Sequence, residues 1–490
     1  MALLKKFAGE TVIYGLGSVL PRVLIFSLTP YLTSVFGTGE YGTQGVMFAF
    51  AAFLMVFFTY GMETTLFRFG SEVGQKDKVF STAAISLLVT SVIFVSVLFF
   101  FSQEVANFLN EPEGAKFVKW FALISAFDAL AALFFARLRL ESRAVRFAVI
   151  KILNVLINIS LLIFFLEGCP YLIKNGYSFF SKIYTGDNRL DLFFSANVMA
   201  SAAVFLILFK DFFKYKWQFD VALWQRMLRY ASPLILVGLA GVINRQLDRI
   251  FLKKWLLVDV DNLVGIYNAN VKLAVLMSLF ITAFNYAAEP FFFKNATRED
   301  SKQVYAQIAQ AFSVVGSLAF LGIMLYLDIF KYLIDDAYWE GLQVVPFLLL
   351  AYFGLGLFYN FSIWYKLKDQ TRIGAWISIG GAVVTVLINY IFIPTEEIMA
   401  PAYAALTCYT LMALASYFIG KKYYPIDYPI GKMLSYIILA IGIYYLSTVI
   451  RPNFVNDFWK IMGVNTLLLI LYLGVLTVME RSLLSSFFKK

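Results

Sequence analysis

The residues that invite a chemical reading are charges set deep inside apolar stretches. Arg22 closes the stretch Gly15–Arg22, GLGSVLPR, and Arg245 closes Gly238–Arg245, GLAGVINR, 223 residues later. Glycine, leucine, valine and arginine recur at the same spacing. Arg22 sits about a dozen residues from either end of its apolar run, near the middle of a bilayer at about 1.5 Å per residue. A guanidinium there costs at least about 2.5–3.5 kcal/mol on insertion scales. A chain that carries this twice, at matching places, has a use for it. Arginine binds phosphate through a fixed fork of donors and keeps its charge when desolvated, so the ligand to look for is an anion, phosphate or pyrophosphate.

The neighbouring charges refine that reading. Arg245, Asp248 and Arg249 are spaced to share one helix face. They form either a self-neutralising network or, with Arg22, a net cationic patch. Lys272 lies about a third of the way into its run and extends the patch. Lys151 lies near a cytoplasmic end and can snorkel. Asp128, near mid-membrane in the fourth run, is the candidate partner of Arg22; the bland alternative is an ion pair kept for packing. Glu63 and Glu289 read either as gating or cation-coupling carboxylates or, with the better claim, as caps that pair with Arg68 and Lys294. Pro21 removes a helical hydrogen bond just before Arg22 and predicts a kink or hinge in the first run. Asn154, Asn158, Asn197 and Asn389 fit hydrogen bonds between helices.

The elements that position these residues follow from composition. Of 490 residues, 61% are hydrophobic and 15% charged, and the aromatics include 52 Phe and 29 Tyr. Mean hydropathy is +0.75. Soluble domains carry about a quarter charged residues, so the expected class is an all-α polytopic membrane protein. The runs are continuous and do not alternate as barrel strands would. The net charge of +10 reads as basic loops facing an anionic leaflet rather than a nucleic-acid surface. Cys169 and Cys408 make no disulfide framework, and there is no histidine. Imidazole triads, metal sites and proton relays are therefore excluded, and any proton coupling rests on carboxylates. No Walker A sequence, dinucleotide loop or metal-ligand spacing occurs, so no cofactor is expected. The opening MALLKKFAGET is not a cleavable signal, because the apolar run behind it is too long.

Fourteen spans are expected, the first at about 10–35 and the last at about 458–479. Loops after even-numbered spans, with the two ends, hold about 26 of the 41 basic residues, which places both termini in the cytoplasm. The repeat extends beyond the arginines. Gly42 matches Gly265, and Tyr60, Glu63, Phe67 and Arg68 match Tyr286, Glu289, Phe293 and Lys294. The tetrapeptide VLIN occurs at Val155–Asn158 and again at Val386–Asn389. Collinear matches predict two six-span lobes related by an axis along the membrane normal. The predicted divisions are an N-lobe over 1–210, a linker over 211–229, a C-lobe over 230–420 and two extra spans over 421–490.

LKKFAGETVIYGLGSVLPR, EYG at Glu40–Gly42, YGMETTLFRF at Tyr60–Phe69 and VLINYIFIP at Val386–Pro394 together resemble Wzx-type polysaccharide-biosynthesis transporters. These are lipid-linked oligosaccharide flippases of the multidrug/oligosaccharidyl-lipid/polysaccharide superfamily. The chain departs from the family pattern at Pro394–Ala402, where the usual glycines are absent and Glu396 and Glu397 intervene. The resemblance implies two six-helix lobes about a central cavity, with undecaprenyl-diphosphate-linked oligosaccharide as cargo for surface polysaccharide. On this reading the protein works in the bacterial inner membrane by alternating access. Arg22 and Arg245 hold the diphosphate, Arg249 and Lys272 support it, and Asp128 or Glu63 carries a coupling cation, H+ or Na+. Expected partners are the lipid-linked substrate, membrane lipid, and a glycan polymerase or glycosyltransferases. The rivals are a multidrug/cation antiporter, which wants an acidic cavity, and a peptidoglycan-precursor flippase. A membrane polymerase or ligase fits less well, because the external loops are short.

Overall fold

The computed structural model describes residues 2–70, 75–210, 217–294, 298–368, 370–454 and 457–480. Among the described residues there are helices and no strands. Among the described residues, fourteen segments are long and apolar enough to cross a membrane, from Gly17–Val35 to Phe458–Met479. The expected class, all-α and polytopic, is the one observed. Continuous apolar helices satisfy every backbone group internally, which a hydrocarbon environment demands.

Breaks within three of the spans position the charged residues, and the sequence explains them in part. The first helix, Ala2–Ser27, runs unbroken through Pro21; the interruption comes at Leu28, before the helix Thr29–Val35. Pro30 sits in the first turn of that second helix, where a missing N–H loses nothing. In the second span, helix Thr38–Thr59 stops at Tyr60 (φ 30°) and Gly61 (φ 75°) before Met62–Gly70 resumes. The Tyr60 hydroxyl meets Ser86 Oγ at 2.7 Å, and Trp224 Nε1 donates to the same oxygen at 2.7 Å. The repeat counterpart Tyr286 lies in the uninterrupted helix Val260–Lys294. Ala287 stands there in place of Gly61, and a Cβ makes the left-handed conformation costly. In the seventh span, helix Val221–Ile243 gives way to a turn over 244–247 before Asp248–Trp255. The fifth span runs longer than expected, over Ala144–Lys174, by way of a π-helical turn at Phe164–Gly168.

The chain divides into two compact units. The first comprises Met1–Asn268 with Asn389–Glu397, and the second Ala269–Ile388 with Ile398–Lys490. Inside the first unit, Met62, Leu66, Phe80, Leu133, Leu208 and Met227 belong to one buried cluster. Inside the second, Phe358, Tyr409, Met412 and Met433 belong to another. In lipid there is no hydrophobic drive between helices, so close packing and polar bonds must hold them. The second unit shows both. A Cβ at Gly356 would lie 2.0 Å from the Phe312 ring. Gln310 Nε2 donates to Tyr436 at 3.1 Å and to Glu480 at 2.8 Å, and Tyr472 donates to Ser317 at 2.7 Å. Asn465 Nδ2 donates to the Leu325 carbonyl at 2.6 Å. These bonds fix the last two spans, Ile430–Ile450 and Phe458–Met479, to the helix Ser301–Leu325.

Candidate functional site

Four helices of the first unit bring charges together. Arg139, in the last turn of Ala115–Leu140, places Nη2 3.8 Å from the Glu63 carboxylate and its guanidinium 4.7 Å from the Phe67 ring centre. Lys151, on Ala144–Ile163, holds its ammonium 4.2 Å from the Phe135 ring centre. That ammonium is within electrostatic reach of Asp128, Glu63, Arg139 and Arg22. Asp128 in turn accepts a hydrogen bond from the Ser201 hydroxyl. The first helix approaches closely because Gly17 has no side chain: a Cβ there would sit 2.8 Å from Ala148. Among the described residues, the three cations Arg22, Arg139 and Lys151 and the two carboxylates Glu63 and Asp128 share one region, and this set carries one positive charge in excess. Arg22 itself is exposed and Lys151 is half-buried.

The remaining candidates lie elsewhere. Arg245 sits in the turn between two helices, exposed, with Nε donating to the Gly241 carbonyl at 3.1 Å. The break at 244–247 means that Arg245, Asp248 and Arg249 do not share one helix face. Arg249 is 6% exposed; its Nη1 donates to Asp248 Oδ1 at 2.7 Å and its Nε to Asn268 Oδ1 at 3.3 Å. Tyr267 donates to the other Asp248 oxygen at 2.7 Å. Asp248 and Arg249 therefore take each other as partners in a buried network. Lys272 is half-buried on Val260–Lys294, in the second unit. Glu289 lies on the same helix, and its side chain is outside the described residues. Pro21 is buried within its helix.

Sequence reasoning did not single out Arg139; for Lys151, expected near a cytoplasmic end, the structure holds the ammonium over the Phe135 ring in the last turns of Ala115–Leu140. A signal was present: a carboxylate inside a span, Asp128, demands a compensating group on a neighbouring helix, and Lys151 is a basic residue inside the next span. Arg139 sits at a helix end in a basic loop, and nothing in its local sequence separates it from topological charges.

The profile of the polysaccharide biosynthesis protein family matches residues 7–296. No curated protein matches the chain. Among solved structures, the chain is similar to the lipid II flippase MurJ in an inward closed conformation, with TM-score 0.74 and 15% identity over 96% of this chain and 100% of that one. It is also similar to an outward-facing multidrug resistance MATE family transporter of the MOP superfamily, with TM-score 0.59 and 13% identity over 84% and 95% of the two chains. The Vibrio cholerae MATE transporter VcmN in its bent form gives TM-score 0.52 and 12% identity over 89% and 98%. At these identities the likeness is one of fold, while the profile covers more than half of the chain. The chain belongs to the polysaccharide biosynthesis protein family and has the fold of the MOP-superfamily transporters.

Proposed function

We propose that the protein is a flippase for a polyprenyl-diphosphate-linked oligosaccharide in the bacterial inner membrane, with both termini cytoplasmic. The observation that carries the reading is the excess of cations among Arg22, Arg139, Lys151, Glu63 and Asp128 within the first unit. A diphosphate entering this region replaces the water and carboxylate contacts of the cations with its own oxygens. Arginine holds such oxygens through paired donors, and lysine adds a compact charge. The glycan takes a hydrophilic path while the polyprenyl tail stays in lipid. Arg245 and Lys272 serve later stages of the passage. Asp248 and Arg249 hold the broken seventh span in shape. Asp128 or Glu63, relieved of its cation by the diphosphate, takes up the coupling cation, H+ or Na+.

The test is translocation of a short lipid-linked sugar across reconstituted vesicles. Replacing Arg22 and Arg245 together by alanine abolishes flux at unchanged protein level, and Arg22→Lys restores it only in part. Normal flux in the alanine pair rejects the charge role. One observation favours a second reading: the TM-score of 0.74 to a lipid II flippase makes a peptidoglycan precursor an equal candidate cargo. Both cargoes present the same diphosphate. Supplying the peptidoglycan precursor and a surface-glycan precursor in parallel decides between them. Unchanged sugar chain length after passage separates transport from glycan polymerisation or ligation.

A further inference from the structure

Helix Thr38–Thr59 and helix Val260–Lys294 cross at two glycines. A Cβ at Gly42 would lie 2.6 Å from the Asp261 carbonyl oxygen and 3.0 Å from the Gly265 nitrogen. One at Gly265 would lie 1.8 Å from the Thr38 carbonyl oxygen and 3.1 Å from the Gly42 nitrogen. Neither position admits a side chain. The pairing is reciprocal in sequence as well as in space. Gly42 and Gly265 are 223 residues apart, as are Thr38 and Asp261, and Gly45 and Asn268. A Cβ at Gly45 would lie 2.8 Å from Asn268 Cγ. Each residue thus meets its own counterpart or the counterpart of its neighbour, as an isologous two-fold contact requires.

Polar groups brace the crossing. Thr38 Oγ1 donates to Asn262 Oδ1 at 2.6 Å, and Asn268 Nδ2 donates to the Tyr41 carbonyl at 3.2 Å. Lys253, from the short helix Asp248–Trp255, is 5% exposed. Its ammonium lies 2.8 Å from Glu111 and also pairs with Asp261. Thr43 Oγ1 donates to Glu111 at 3.1 Å, and Asn110 Nδ2 donates to the Lys253 carbonyl at 2.9 Å. One buried lysine therefore ties together the second, seventh and eighth spans and the 110–111 corner. By the loop charges, all of this lies at the outer ends of the spans.

We propose that the Gly42–Gly265 crossing is the outer gate of the transporter, and that Lys253 with Glu111 and Asp261 is the bolt that holds it shut. The inference rests on the transport reading above for its purpose, and its test is read without any cargo. Backbone-to-backbone contact through bare glycines closes the crossing tightly and adds packing to it. The polar bolt adds the buried ion pairs that must be broken before the helices part. Removing one partner of a buried ion pair leaves an uncompensated charge and is strongly destabilising to the arrangement that buries it.

The experiment uses full-length protein in right-side-out vesicles, with Cys169 and Cys408 replaced by serine and Thr38→Cys introduced. A membrane-impermeant maleimide is added outside. The closed crossing labels slowly, and Lys253→Met raises the labelling rate by about tenfold or more. Equal rates overturn the proposal. A second variant, Thr38→Cys with Asn262→Cys, covers the case in which Lys253→Met fails to reach the membrane. Oxidation joins this pair, stops translocation of a lipid-linked sugar, and reduction restores it. Failure of the pair to join in the membrane, or full translocation through the joined protein, overturns the gate. Wild-type protein that moves no lipid-linked sugar rejects the transport reading and leaves the labelling result standing by itself.

Discussion

The two units hold their helices together with different chemistry. The first relies on ions: half-buried Lys151 near Asp128, and the buried cations Arg249 on Asp248, Lys253 between Glu111 and Asp261, and Arg137 on Asp77 and Glu141. The second relies largely on neutral groups: Tyr472 on Ser317, Ser447 on Asn465 at 2.7 Å, and Trp364 on the Ser416 carbonyl at 3.0 Å. Its buried carboxylate Glu480, bonded to Tyr436, Gln310 and Lys432, sits at the end of the last span. Neutral bonds between helices are cheap to keep and hold a fixed shape. Ion pairs in the same setting are expensive unless a ligand or a motion exchanges their partners. On the proposed transport reading, the ion-rich first unit carries most of the ligand-facing work.

The sharpest way to break this contrast is to neutralise one ion. Lys151→Met lowers translocation by about 100-fold, or about 2.7 kcal/mol, while the thermal midpoint in detergent moves little. A comparable loss of stability with transport intact makes Lys151 structural and erases the distinction. Next comes packing at the crossing. Gly265→Ala meets a carbonyl oxygen at 1.8 Å, whereas Gly380→Ala meets nothing within 4 Å. The first variant costs about 1–3 kcal/mol as overpacking does and raises external labelling at position 38; the second leaves both measurements unchanged. A neutral bond in the second unit gives a smaller effect. Tyr472→Phe lowers stability by about 1 kcal/mol at unchanged translocation, and any loss of flux there argues against a purely supporting unit.

The smallest effect concerns two carboxylates outside the spans. Burial pushes Glu111 above its ordinary value of 4.5, with Lys253 opposing. The folded protein then takes the proton first, so this group's contribution falls as pH rises from 4.5 through the folded value. Asp220 is held below 3.8, chiefly by its hydrogen bond from Lys78, with the Leu223 N–H adding to it. Its contribution is present above 3.8 and is lost as pH falls through the folded value. Thermal midpoints of Glu111→Gln and Asp220→Asn, followed against pH, therefore change relative to the unsubstituted protein with opposite slopes.

Span number and class were legible because the hydrocarbon slab imposes them on composition. The duplicated Gly–Leu–Val–Arg pattern and the Gly42–Gly265 match were legible too, since both are periodic in sequence. The local breaks were only half visible. Pro21 marks a disturbance, yet the helix runs on to Ser27; a proline inside a helix removes one bond without ending it. The turn at 244–247 carries no proline or glycine, so nothing in its residues announces that Arg245 and Arg249 part company.

What the amino-acid order alone determined is everything a one-dimensional periodicity can carry: apolar runs long enough to cross a bilayer, basic loops, and a recurring Gly–Leu–Val–Arg pattern. Which charges meet was decided by the tertiary structure. Asp128 found Ser201 and the neighbourhood of Lys151, and Lys253 found Glu111, through helix approaches that span up to 142 residues of sequence. The physical reason is that a charge in a membrane span is tolerated only beside a compensating group. Sequence reveals that a partner must exist, and only packing selects it.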